Sequence, residues 1–144
     1  MTPQQLKKAL IAAGLEVYRT LGDEIVLADR PRENLILDSG VRIRTPLNGT
    51  FRLRLIVRAE QVLFPNEAPE ALFARARELA RVAVERGFSE LGTQATPMRD
   101  PADQAHVLDT FYEVIFTREV ETLEEACELI RFILALEKSA SGAR

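Results

Sequence analysis

A single cysteine, Cys127, has nothing to pair with inside this chain, so no internal disulfide forms and no cysteine metal cluster can be built. It falls beside an apolar helical stripe, where a free thiol behaves as a small hydrophobe, and no neighbouring pattern would activate it as a nucleophile. A single histidine, His106, lacks a second imidazole with which to share a metal or relay a proton, and it reads as an exposed loop-edge residue. Glycine-rich phosphate loops are missing, and Asn48-Gly49 is turn chemistry. Asp100 and Asp103 lack the ligand alternation and closing glutamate of a calcium loop. No apolar run approaches the roughly 18 residues of a membrane span. Lys7 and Lys8 precede only a short apolar stretch, Ala9 to Ala13, which suits an amphipathic helix better than an export signal. The expectation is a cytoplasmic protein with no membrane association, no cofactor, no metal and no catalytic constellation.

What is present is an ordinary globular composition, 47% hydrophobic and 28% charged over 144 residues. That length suits one domain, expected over 1–138, with a small polar tail over 139–144 that frays. A net charge of -3 makes nucleic acid an unlikely partner. The sum hides an asymmetry. From Arg19 to Arg58 eight arginines stand against five acids, whereas from Asp100 to Glu137 ten acids stand against two arginines. Such complementary halves suit an internal contact or self-association.

The most specific pattern is arginine alternating with apolar residues along Val41-Arg42-Ile43-Arg44 and Phe51-Arg52-Leu53-Arg54-Leu55-Ile56-Val57-Arg58. Strand side chains alternate between faces, so a pairing of these segments puts Arg42, Arg44, Arg52, Arg54 and Arg58 on one face and aliphatics on the other. A five-residue loop, 46–50, sets Arg44 opposite Arg52 and Arg42 opposite Arg54. A two-residue turn at Asn48-Gly49 sets Arg44 opposite Leu53 and spoils both faces, so the longer loop is expected. Like charges facing each other are destabilising, and something acidic must meet them. Glu24, Glu33 or the acidic C-terminal region of the same chain, a second copy, and an anionic ligand all remain open. The planar guanidinium fork matches carboxylate and phosphate alike. A base-stacking platform is missing, since Phe51 lies on the opposite face.

Elsewhere the chain punctuates itself. Thr2, Pro3 and Gln5 start a helix with a capping box, and Gly14 stops it. Short strands follow over 15–20 and 24–28, Asp29-Arg30-Pro31-Arg32 reads as a break, and Asp38-Ser39-Gly40 as a turn or bulge. A second helix is expected over 69–86, ended by Gly87, then a strand over 88–95, a polar loop over 97–104, a strand over 107–117, and a helix over 122–138 opened by Thr122 and Glu125. The fold class is α+β, a mainly antiparallel sheet with three helices in the order α-β-β-β-β-α-β-β-α.

Apolar surface is in surplus. The last helix is apolar around much of its girth, through Leu129, Phe132 and Leu136, and the strand Phe111-Tyr112-Glu113-Val114-Ile115-Phe116 is apolar on both faces. Either further layers cover this surface or a second copy does.

The segments FRLRLIVRAEQVLF, APEALFARARELARVAVERGF and FYEVIFTREVETLEEACELIRFILALEK, in this order, resemble the type III secretion chaperone-like fold, including YbjN-type regulatory proteins. The resemblance implies a small acidic bacterial homodimer without catalysis that binds a segment of a partner protein. Its dimer contacts would fall on the middle helix and the following strand. The expected dimer residues are Leu79, Val84, Phe111, Tyr112 and Phe116 on those elements, with Leu129, Phe132 and Leu136 from the surplus apolar face of the last helix. The expected function is a protein-binding adaptor that docks a partner protein or acidic peptide on the arginine face or the surplus apolar surface. The alternative is a regulatory module that binds a small anion or nucleotide on those arginines.

Overall fold

In a computed structural model, residues 1–140 are described. The elements are α1 (Pro3–Ala12), β1 (Val17–Leu21), β2 (Glu24–Arg32), β3 (Leu35–Leu47), β4 (Thr50–Glu60), a 3₁₀ turn (Gln61–Leu63), α2 (Pro69–Leu79), α3 (Arg81–Glu85), β5 (Ser89–Asp100), β6 (Asp103–Val120), α4 (Leu123–Leu134) and β7 (Ser139–Ala140). The fold is α+β and mainly antiparallel, with strand order β1-β2-β3-β4-β6-β5 and β7 added in parallel to β4. No helix among the described residues is long and apolar enough to cross a membrane. The chain resolves into two compact units, Met1–Leu55 with Thr117–Leu136, and Ile56–Phe116 with the segment from Glu137.

In the first unit, α1 starts as its sequence dictates. The Gln5 amide donates to Thr2 Oγ1 (3.2 Å) and the Thr2 amide to Gln5 Oε1 (2.8 Å). Leu6 and Leu10 turn inward and are fully buried. Arg131 of α4 donates to the Ala13 carbonyl (2.6 Å), satisfying one of the carbonyls that a helix leaves open at its C-terminus. Along α4 the buried set is Ala126, Cys127, Leu129, Ile130 and Ile133, and burial pushes the Cys127 thiol up from its ordinary value.

Three bulges shape β2 and β3. Where the sequence suggests a break at 29–32, β2 instead continues to Arg32, and Pro31 falls in a register shift between Asp29↔Leu37 and Arg32↔Leu35. Proline cannot donate to a ladder, and a bulge is one of the few places in a sheet that does not ask it to. A second irregularity lies between Val26↔Arg42 and Ala28↔Asp38. There Ser39, the one buried polar residue of the described chain, donates to the Leu27 carbonyl (2.6 Å) and accepts from the Val41 amide (3.1 Å). Gly40 follows at φ 79°, and its amide donates to Asp38 Oδ1 (2.8 Å). The third bulge, at Thr45-Pro46, belongs to the arginine strands and is described with them.

In the second unit, Ala59, Phe64, Leu72 and Ala140 form a buried cluster, with Leu79 and Tyr112 packed against it. The helix expected over 69–86 is interrupted at Ala80, where the amide bonds back three residues to Arg77. No glycine or proline marks that place, which is why sequence pattern runs through it. Strands β5 and β6 are longer than expected and shrink the polar loop to a turn at Pro101-Ala102. Pro97 is tolerated within β5 because that strand lies at the sheet edge. Ser139 and Ala140, assigned by sequence to the fraying tail, pair with Arg58 and Ala59. The remainder of that tail, 141–144, lies outside the described residues.

Ser39→Ala leaves both the Leu27 carbonyl and the Val41 amide without their buried partner, and should cost about 1–3 kcal/mol in chemical denaturation. A loss below about 0.5 kcal/mol, typical of an inert surface change, would show that the hydroxyl does not hold the bulge.

Candidate functional site

The arginine face is built by β3 and β4, and its construction starts at the turn. Leu47 pairs with Thr50 across Asn48-Gly49, and both turn residues have positive φ, 55° and 82°. These values suit the type I′ turn that matches strand twist. The connection is thus the two-residue turn, not the longer loop expected from sequence. Even so, Arg44 pairs with Arg52 and Arg42 with Arg54. The bulge between Arg44 and Leu47 reconciles the two, since Thr45 and Pro46 on β3 together oppose only Phe51 on β4. The extra residue restores the parity that a tight turn alone would break. Val41, Ile43, Phe51, Leu53 and Leu55 are consequently buried.

Four guanidiniums share this face with three carboxylates. Glu24, which pairs in register with Arg44, lies between Arg42 and Arg54, 3.6 Å from each, and its side chain is only 15% exposed. Asp38 Oδ2 stands 3.4 Å from Arg42. Glu119 of β6 reaches Arg44 only at 4.0 Å; its side chain is 53% exposed and also accepts from Thr50 Oγ1 at 3.2 Å. Arg52 meets no carboxylate among the described residues. All these separations exceed the ~2.7–2.9 Å of a charge-assisted hydrogen bond. The Nε atoms of Arg42, Arg44, Arg52 and Arg54 are all buried without a hydrogen-bond partner. A buried donor left without an acceptor is expensive, and four on one face is an unusual concentration.

The other expected site residues fall as follows. Arg58 belongs to the second unit, where its guanidinium stacks over the Phe111 ring at 4.1 Å. Tyr112 packs edge-on against Phe73 with centroids 5.4 Å apart. Leu79 is half-buried on the cluster described above, and Val84 is exposed. Phe116 and Leu129 are buried, so of the residues assigned to a dimer contact these two are already covered by the chain itself. Phe132 and Leu136 are half-buried. Glu33, considered as a neutraliser of the ladder, offers its backbone carbonyl to Arg30. Glu113 accepts from Gln94 (3.0 Å) and Thr96 (2.7 Å), and Asp109 from the Val62 amide (3.1 Å), so both carboxylates bind structural donors. Among the described residues no group of three or more His, Cys, Asp or Glu is placed to hold a metal ion.

Sequence reasoning named Glu24 and the acidic C-terminal region that contains Glu119, without singling Glu119 out, and missed Asp38 and Thr50. Asp38 reaches Arg42 only because of the intervening bulge, and Glu119 arrives from a strand more than 60 residues away, so neither carries a local signal. Comparison with protein-family models, with curated protein sequences and with solved structures returns no match. The chaperone-like resemblance therefore rests on the order of elements alone.

Unequal neutralisation predicts opposite responses to charge removal. Glu24→Gln strips the shared partner of Arg42 and Arg54 and should destabilise the protein by about 1–3 kcal/mol, between the values for exposed and buried pairs. Added salt should relieve part of that loss by screening the two guanidiniums. Arg52→Gln removes an unneutralised charge and should leave stability unchanged or raise it by up to about 1 kcal/mol. Urea titrations of both variants at low and high salt check this, and a larger loss from Arg52→Gln than from Glu24→Gln would refute the charge assignment.

Proposed function

We propose that this chain is a non-catalytic binding module, a chaperone-like adaptor that docks an acidic segment of a partner protein on the arginine face of β3 and β4. The observation that carries the proposal is the excess of four guanidiniums over three carboxylates, none of which comes closer than 3.4 Å. Natural proteins keep such unfavourable groups where binding repays them. An extended acidic segment presents carboxylates every second residue, about 6.8 Å apart, the same repeat as the arginines along each strand. The guanidinium fork supplies the chemistry of recognition. Nucleic acid fits less well, because the chain is acidic overall and Phe51 is buried away from the face.

The same reading includes a homodimer, supported by exposed Val84 in the second unit and half-buried Phe132 and Leu136 in the first. Sedimentation at a monomer's mass across micromolar concentrations would remove that part. A small anion or nucleotide is the second reading, since phosphate oxygens match the guanidinium fork as carboxylates do.

The test is fluorescence anisotropy with a labelled peptide of alternating Glu and Ser, alongside its Gln-for-Glu counterpart. The Glu peptide should bind, weaken as salt rises, and lose at least about tenfold in affinity, or ~1.4 kcal/mol, to Arg44→Gln/Arg52→Gln. Equal binding of the Gln peptide, or full binding by the double variant, would overturn the docking face. Displacement of the peptide by millimolar inorganic phosphate would favour the small-anion reading.

A further inference from the structure

Resting on the docking face proposed above, we infer that a single carboxylate of the partner segment is seated between Arg44 and Arg52, and that Glu119 is its built-in competitor. The arginine face divides into two corners. At the first, two fixed acids balance Arg42 and Arg54. Glu24 is largely buried 3.6 Å from both guanidiniums, and Asp38 is tied into the β3 bulge through the Gly40 amide while its second oxygen faces Arg42. Two positive charges meet two negative ones, and neither acid is free to leave.

At the second corner the balance fails. Arg44 and Arg52 pair directly across the strands, and among the described residues the only acid that reaches either is Glu119, on the longest contact of the set, 4.0 Å from Arg44. Glu119 is also the most exposed of the three acids. Among Arg42, Arg44, Arg52 and Arg54 and the three acids near them, the positive excess therefore falls on one cross-strand arginine pair. Side chains directly opposite in an antiparallel pair stand about 4.5–5.5 Å apart at Cβ, close enough for one carboxylate to accept a donor from each guanidinium. One carboxylate matches the geometry of two facing guanidinium forks, and an Asp or Glu side chain of the docked segment supplies it. Thr50 Oγ1, which donates to Glu119 now, marks the rim of the seat. Glu119, 4.0 Å from Arg44, competes with an incoming carboxylate for that guanidinium and partly neutralises the pair.

The anisotropy assay with the alternating Glu-Ser peptide separates this inference from the reading beneath it. Glu119→Gln should bind the peptide about 3–10-fold more tightly than the unmodified protein, since a displaced ion pair of surface strength no longer competes. Glu121→Gln, an equal charge change at an exposed residue two positions on, should gain less than half as much. Both substitutions are at exposed positions, and thermal melting verifies that the fold is retained. If the unmodified protein binds but Glu119→Gln gains nothing, or no more than Glu121→Gln, the competitor role is overturned while the docking face stands. If neither the unmodified protein nor Glu119→Gln binds, the docking face and the seat fall together.

Discussion

Parity between β3 and β4 is the constraint on which the arginine face depends. A strand pair shifted by one residue exchanges its faces, and here the exchange would bury four guanidiniums and expose the aliphatic core. The type I′ turn at Asn48-Gly49 is locally favourable but imposes the wrong parity on its own. One extra residue at Thr45-Pro46 corrects it. Proline suits that position because it has no amide to offer the ladder, so the bulge costs no hydrogen bond that the residue could have made. Pro31 plays the same part in the pairing of β2 with β3. Two prolines that look like strand breakers thus fix the registers of adjoining strand pairs.

Given that register, electrostatics decides what the face can do. Uniform neutralisation would make the arginines a structural lattice, and the absence of any acid would make the face self-repelling and costly to fold. The observed state lies between these limits. Glu24 and Asp38 hold one corner, and the other is left with a single exposed carboxylate at 4.0 Å. Intermediate neutralisation is what a recognition surface needs, because full internal pairing would compete away the ligand and bare charge would favour any polyanion.

The alternating arginines were legible because strand periodicity is two and their spacing never departs from it within each segment. The buried faces of α1 and α4 were legible for the analogous reason at helical spacing, and the capping box of α1 was read residue by residue. What escaped was non-local or lacked a residue signature. Break and bulge look alike in sequence when proline is involved, so Pro31 was read as an interruption. The interruption at Ala80 falls in a run of good helix formers. Glu119 approaches Arg44 only because β6 lies in the sheet beside β4, a fact about topology that no window of residues contains.

Arginine use elsewhere in the chain sharpens the contrast. In the second unit several guanidiniums find close partners. Arg75 forks onto Glu67 while stacking over Phe64 at 4.0 Å, Arg77 forks onto Glu90, and Arg58 covers Phe111. Those forks hold the Glu67 and Glu90 carboxyls below their usual range, which is the signature of charge satisfied in the folded state. Both pairs are exposed, so they orient side chains more than they stabilise the fold. The arginines of β3 and β4 have the opposite character, being shielded from water at Nε and yet unbonded there. A sequence that forks Arg75 and Arg77 onto carboxylates has the means to do so elsewhere. The Arg44–Arg52 pair is left short of one carboxylate, which the proposed docking of an acidic segment would supply.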